Sequence, residues 1–397
     1  MGVPLLDVNA QNLPLEDELT EVFQSVLRSG RFILGGEVTA FEEEVAAFVG
    51  AKYGIGVSSG TDAILLALMA LDIGAGDEVI CPAFTFFATA GCISRTGATP
   101  VFVDSCPVCF NLDLDSVKSK ITERTKAIIP VHLFGQSAEM DGLMAIAEEH
   151  GLKVIEDGAQ AIGSKYKGRG CGTIGDFGTY SFFPSKNLGG FGDGGMLVTN
   201  DEALAEKSKV LRMHGSKPKY YHHLVGGNFR IDALQSALLR VKLRRYADYT
   251  AARQANAAFY TEALAELPGV VLAEEPDCCC AAGQAAKLAE AGAKIVLPVA
   301  YGHNEHIWNQ YTLRVLGEGQ RDALREHLTG LGIGCEIYYP VTMDEQVCFA
   351  DLPEESRSGI HVAHQLAGEV ISIPIYGELS PEQREEVVAG IGKFLAG

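Results

Sequence analysis

Basic charge is what this chain is short of. Its 397 residues hold 32 Lys and Arg against 51 Asp and Glu, a formal net charge of −19. A surface that neutralises phosphates needs basic patches, so this balance argues against nucleic-acid and anionic-membrane partners. Long apolar runs are missing too: no stretch reaches the length of a bilayer-spanning helix without interruption. The amino-terminal MGVPLLDVNAQNLPLEDELTE has no basic segment followed by an apolar core, so no signal peptide is expected and the protein reads as cytoplasmic. Gly2 is present, but Leu6 stands where a myristoylation signal wants Ser or Thr. Paired metal-binding motifs are also lacking. The ten cysteines are scattered singly apart from Cys278, Cys279 and Cys280, and the one C-x-x-C, at Cys106 and Cys109, has no second pair. Reduced, mostly buried thiols are expected, with no disulfide framework and no metal site.

What remains is a composition of 47% hydrophobic and 21% charged residues, that of a globular protein long enough for two or three domains. Short apolar runs alternate with helical patterns through the first two-thirds. YGIGVSS, DEVICP, TPVFVD, KAIIPVH and KVIEDG read as strands, with TDAILLALMALDI, LDSVKSKI and MDGLMAIAEEH as helices among them. Such alternation predicts a mostly parallel sheet covered by helices on both faces. FGTYSFF and GGMLVTN then follow as two strand-like runs without a full helix between them, a departure from the alternation. From Asp232 to about Leu267 the spacing of Leu, Ala and Tyr predicts one long helix ended by Pro268-Gly269, bridging two domains. Beyond it, NQYTLRV, CEIYYP and VISIPIY read as strands and QRDALREHLTGLG and SPEQREEVVAGIGKFL as helices of a smaller α/β domain. Residues 277–302, rich in Ala and Cys, read as a surface insertion.

The stretch SFFPSKNLGGFGDGGMLVTN, residues 181–200, supports two rival cofactor readings. Gly190, Gly192 and Gly195 have the G-x-G-x-x-G spacing of a dinucleotide loop. That fingerprint must follow a strand and open a helix, so that the pyrophosphate meets the helix N-terminus. Here Asn-Leu precedes it and the β-type run MLVTN follows, which sets the nicotinamide reading aside. A better anion site is S-S-G-T-D, Ser58 to Asp62, between an apolar run and a helix whose first N–H groups lack internal partners. An ordinary N-cap by Ser59 or Thr61 competes with that reading.

Lys186 follows TYSFFPS, which carries its amine towards the interior, and precedes the flexible glycines. A partly desolvated lysine has a depressed pKa and can form a Schiff base with a carbonyl. Pyridoxal phosphate exploits such a lysine and needs an acid at its pyridine nitrogen and a phosphate cradle. Asp157 in VIEDGAQA, at the end of a predicted parallel strand, is the candidate acid, with Gln160 three residues on.

At these residues a resemblance becomes specific. SSGTDAI, CPAFTFFATA, PVHLFGQSAEMD, VIEDGAQAIGSKYKGR, YSFFPSKNLGGFGDGGMLV and GGNFRIDALQSA, in that order, resemble the nucleotide-sugar aminotransferases of the DegT/DnrJ type. The likeness covers nearly the whole chain, from GRFILGGEVTA through IGCEIYYP to ISIPIY. It implies pyridoxal-phosphate fold type I, the aspartate-aminotransferase-like fold. This has a large, mostly parallel seven-stranded α/β/α domain (residues 1–245) and a smaller C-terminal α/β domain (246–397). It also implies Lys186 as the Schiff-base lysine, Asp157 as partner of the pyridine nitrogen, Gln160 beside the cofactor's hydroxyl, and Gly60, Thr61 and Ser181 as phosphate cradle. Phe86 matches the aromatic that stacks on the ring, and Asn228 a residue reaching the phosphate of the neighbouring subunit, which implies a homodimer with a shared site. Arg230, Tyr338 and His306 are the substrate-contact candidates.

The activity so implied is transfer of an amino group from an amino acid, glutamate by resemblance, to a keto group of a UDP- or dTDP-linked sugar. Gln160, where some 4-keto-sugar enzymes carry histidine, favours C3 over C4. Sugar dehydratases of this fold replace the lysine with histidine, so Lys186 counts against them, and a non-catalytic cofactor-binding regulator is the rival from another class. One departure stands out: the family's Y-P-x-x-L-H-x-Q is here Tyr339-Pro340-Val341-Thr342-Met343-Asp344-Glu345-Gln346, with Asp344 and Glu345 where a histidine is usual.

Overall fold

The computed structural model describes residues 2–274 and 292–397. The five expected parallel strands are β1 (Tyr53–Val57), β2 (Glu78–Pro82), β3 (Thr99–Val103), β4 (Thr125–Ile128) and β5 (Lys153–Asp157). The two later runs form β8 (Phe177–Ser181) and β9 (Gly195–Thr199), after a short hairpin of β6 (Lys165–Tyr166) and β7 (Arg169–Gly170). Together they make one seven-stranded sheet in the order β1-β9-β8-β5-β4-β2-β3. β9 runs antiparallel to both neighbours, while the remaining pairings are parallel. The missing helix between β8 and β9 thus has a geometric result: a hairpin-like return, with Lys186 in its loop. Strands β2 and β9 are buried throughout, as a sheet covered on both faces requires. The helix Gly60–Ala70 is apolar nearly all round because the sheet lies on one side and the helices Phe87–Arg95 and Glu202–Leu211 pack on it as well.

A second sheet has the order β10-β11-β13-β14, formed by Val270–Leu272, Ile295–Leu297, Tyr311–Val315 and Val370–Ile373. Its core includes Tyr260, Leu297, Leu324 and Ile391. Val3 joins that core and pairs with Ile333, so the amino-terminal residues lie against the C-terminal part of the chain. The strand β12 (Asn304–Glu305) instead pairs with β6 of the large domain.

Three expectations change. The long helix is two, Ala233–Leu243 and Tyr246–Ala265, broken at Arg244 and Arg245. The break lets Tyr246 sink fully into the first domain and donate to the Ile162 carbonyl (2.7 Å), while Tyr260 further along packs into the second core. CEIYYP is not a strand: only Glu336 bridges to Ser372, after which Ile337 turns into the first domain's core and leads two tyrosines to the cavity described below. The end of the 277–302 segment is no surface insertion either. Ile295–Leu297 is an interior strand paired with both β10 and β13, and residues 277–291 lie outside the described residues.

The two halves are tied by Asp104, which follows β3 and is 9% exposed. Its carboxylate accepts the N–H groups of His361, Val362 and Ala363 at 2.8–2.9 Å, capping the helix Val362–Glu369 from outside. Asp104→Ala is therefore expected to cost about 2 kcal/mol, the upper range for a lost cap with buried donors left unpaired. Urea unfolding measures this, and a change under ~0.5 kcal/mol would remove the cap from the account.

Candidate functional site

The C-terminal ends of β5 and β8 open into a cavity of about 490 Å³. Successive residues of β5 point to opposite faces, and its last two are both carboxylates. Glu156 turns to the far face, where it accepts N–H groups of Gly172, Ile174 and Gly175 and meets His132 Nε2 at 2.9 Å. His132 Nδ1 accepts the Ala138 N–H, which leaves the Nε2 proton for Glu156. Asp157 turns to the cavity, 4% exposed, its oxygens accepting from Thr89 Oγ1 (2.8 Å) and the Ala159 N–H (3.1 Å). Burial raises its pKa, with the two hydrogen bonds and the Lys186 charge opposing. A carboxylate so desolvated favours a cationic partner.

Lys186 lines the same opening, in a loop whose backbone is closed by Lys186 N–H to Phe183 O (2.8 Å) and Gly190 N–H to Phe182 O (2.8 Å). Burial lowers its pKa to about 8, Asp157 pulling weakly the other way. At the third corner is the start of the helix Gly60–Ala70. Ser59 is its N-cap, accepting the Asp62 N–H at 3.0 Å, so the cap reading and the anion reading hold together. The first-turn amides of Gly60 and Thr61 have no intrahelical partner. Ser181 faces them so closely that a Cβ on Gly60 would stand 2.7 Å from the Ser181 Cβ. A backbone pressed this close to a hydroxyl and an open helix start suits a phosphate. Gly195 likewise leaves no room for a Cβ against the Ser59–Gly60 peptide. The glycines of the rival fingerprint therefore serve close packing, and β9 follows them where a dinucleotide site would need a helix.

Gly60, Thr61, Phe86, Asp157, Gln160, Ser181, Lys186 and Tyr338 thus share one cavity. Phe86, 58% exposed, presents its ring at the wall. Gln160 is fixed at both ends: Oε1 accepts the Phe134 N–H (2.6 Å) and Nε2 donates to the Tyr339 hydroxyl (3.2 Å). A phosphate cradle, a buried acid and a desolvated lysine around one opening fit pyridoxal phosphate.

The other three candidates lie elsewhere. His306 is buried, stacked on Trp308 with centroids 3.8 Å apart, and its Nδ1 accepts the Trp308 N–H. It borders a separate void of about 10 Å³. Burial pushes its pKa down to about 3, which favours the neutral ring, and it does not line the cavity of about 490 Å³. Asn228 is exposed, bridged to Met213, and outside its own chain's cavity. Arg230 pairs by backbone with Val57; its Nη1 reaches Met213 Sδ (3.7 Å), its Nε has no hydrogen-bond partner among the described residues, and it does not line the cavity. Asp344 binds His364 at 2.7 Å and Glu345 accepts from Thr342, both away from the cavity lining. Residues the sequence reading missed are Thr89, Tyr339 and Asn309, the last lining the cavity and donating to Asn187 (2.9 Å). Only Tyr339, beside Tyr338, carried a signal.

The lowered Lys186 pKa is directly measurable. In cofactor-free protein, labelling of Lys186 by an amine-acylating reagent, followed by peptide mass analysis, should rise with pH about a midpoint near 8. Surface lysines should follow the ordinary amine range instead, and a Lys186 midpoint above ~10 would show a solvated amine.

Known proteins match this arrangement from end to end. The profile of the DegT/DnrJ/EryC1/StrS aminotransferase family matches residues 14–279 and 280–392. A protein of Geobacillus stearothermophilus named pleiotropic regulatory protein is 46% identical over 394 residues, 99% of each chain. The UDP-N-acetyl-3-dehydro-alpha-D-glucosamine 3-aminotransferase of Acidithiobacillus ferrooxidans is 41% identical, covering 100% of this chain and 99% of its own. The crystal structure of S. venezuelae DesV in complex with a ketimine intermediate superposes with a TM-score of 0.89 at 39% identity, covering 100% of this chain and 99% of that one. Matched along nearly its whole length, the chain belongs to the DegT/DnrJ/EryC1/StrS aminotransferase family.

Proposed function

We propose that the protein transfers the amino group of L-glutamate to the C3 keto group of a UDP- or dTDP-linked sugar. The observation that carries this is Lys186, with its lowered pKa, facing the same cavity as the buried carboxylate of Asp157. The cofactor is pyridoxal 5′-phosphate, which when bound supplies an aldehyde that condenses with amines and a protonated ring that draws off electrons from a deprotonated carbon. Gly60 and Thr61 amides with Ser181 Oγ would hold its phosphate, Asp157 would keep its ring nitrogen protonated, Phe86 would pack against the ring, and Lys186 would be the amine that holds its aldehyde carbon. The freed amine is partly neutral near pH 8, so Lys186 Nζ takes the proton from the donor's α-carbon and later delivers one to C3 of the acceptor. The 3-amino products in the relatives' names and Gln160 at its position support C3; amination at C4 is the alternative.

A regulatory reading draws on the Geobacillus relative's name. The two separate cleanly. Wild-type protein should convert glutamate to 2-oxoglutarate in a half-reaction, and Lys186→Ala should lose it on the order of 10³-fold or more together with the yellow colour of the lysine-bound cofactor. Retained turnover in Lys186→Ala would overturn the lysine's role. Colour without a half-reaction in the wild type would favour regulation. UDP- and dTDP-ketosugars, scored by product mass, then identify the acceptor.

The working form is a cytoplasmic homodimer. Tyr220 (79% exposed), Tyr221 (66%) and Val225 (89%), in the loop before Asn228, give the apolar surface a partner would cover. Asn228 stands in that segment, outside its own cavity, consistent with reaching the partner's phosphate. Mixing Asn228→Ala with Lys186→Ala protein through unfolding and refolding should then restore activity that neither has alone, since one hybrid site is intact; no recovery in confirmed heterodimers would place Asn228 in its own site.

A further inference from the structure

Among the described residues, one buried ammonium is not used by this chemistry. Lys242, in the last turn of the helix Ala233–Leu243, is 0% exposed. Burial lowers its pKa to about 8. A leucine or methionine would fill the space at less desolvation cost, so the charge calls for a use. What it touches is the loop that carries Lys186. Its Nζ donates to the Gly189 carbonyl at 2.6 Å and lies 5.6 Å from the centre of the Phe191 ring. Seven residues earlier, on the same face of the helix, Gln235 Oε1 accepts the Phe191 N–H at 3.0 Å. The helix therefore holds this loop from beneath at two successive points. The helix's C-terminal carbonyl dipoles help keep the ammonium there.

On the other side, Gly190 N–H and Lys186 N–H are bound to Phe182 and Phe183 carbonyls within the loop itself. The loop thus has no free segment between Lys186 and Phe191 on its inner side. Lys242 is the charged member of its support, meeting the loop at Gly189, three residues along the chain from Lys186; Gln235 holds Phe191, and Asn187 is held by Asn309 and the Ile307 carbonyl.

We propose that Lys242 is a positioning residue for Lys186: its buried ammonium, with Gln235, fixes the 189–191 turn and so the direction in which Lys186 enters the cavity. This rests on Lys186 being the cofactor lysine. Lys242 touches neither cofactor nor substrate and acts only through the loop.

Lys242→Met keeps the length and removes the donor. In the cofactor-free protein, hydrogen exchange of peptides covering 186–194 should speed up ~10-fold, because the Gly189 carbonyl loses its donor and the turn that aligns the Gly190 and Phe191 amides on Phe182 O and Gln235 Oε1 loosens, while distant strands stay protected. In the holoenzyme, kcat with glutamate should fall ~10-fold, KM should stay within ~2-fold, and the pH midpoint of the lysine-bound cofactor's absorbance should move. Wild-type exchange, kcat and absorbance midpoint together overturn the proposal, as does a lower melting temperature with kcat and midpoint unchanged. Should Lys242→Met fail to fold, Gln235→Leu is read the same way. The exchange result stands apart from the reading of Lys186: if Lys186→Ala retained the half-reaction, that reading would fall while faster exchange in Lys242→Met would still report the clamp.

Discussion

A carboxylate held out of water at the end of a central strand is the constraint on which the rest of this site turns. Asp157 is the last residue of β5, its backbone N–H bound to Pro130 O and its carbonyl to the His132 N–H. It therefore cannot swing out to solvent without opening the sheet. The preceding Glu156 is spent on the opposite face, satisfied by three backbone amides and His132. Two adjacent carboxylates so have opposite duties: one stitches the sheet to the 172–175 loop, the other remains available to a cation. The parallel strand's alternation makes the division.

Around Asp157 the cavity is assembled from distant parts of the chain. The helix start at Gly60, the loop at Lys186, the turn at Leu133 and the tyrosines at Tyr338 and Tyr339 meet at this cavity, where β8 and β9 bring Ser181 and Gly195 against the Ser59–Gly60 peptide. Gln160 links two of these parts, receiving from the Phe134 backbone and donating to Tyr339. Asn187 and Asn309 link two others. Rigidity of the wall comes from these cross-links between segments.

Much of this was legible before any coordinates. Strand and helix alternation located β1 to β5, and the absent helix before GGMLVTN marked the β8–β9 return and Lys186 within it. Asp157, Gly60, Thr61 and Ser181 sit at element ends, where short-range pattern is strongest. The long helix was misread because Arg244 and Arg245 are good helix formers, and only burial of Tyr246 against Ile162 shows why the helix breaks there. CEIYYP has strand composition, yet its Ile337 and tyrosines are claimed by the other domain. Thr89 looks like any threonine in a helix until it meets Asp157, 68 positions away. His306 carried the chemistry of a ligand but is enclosed by Trp308, which no spacing rule reveals.

The antiparallel strand β9 has a consequence for the order in which the molecule can come together. In the large sheet β1 is an edge strand whose neighbour is β9, paired as Tyr53 with Thr199 through Val57 with Gly195. During synthesis β1 and the helix start that follows it must wait, without the β9 partner, until more than a third of the chain has followed. Strands β2 to β5 wait less, because each has a parallel neighbour within that group of four. Closure of the sheet and assembly of the cavity wall at Ser59–Gly60 are then the same late event, so a growing chain has no complete cavity until its edge is sealed.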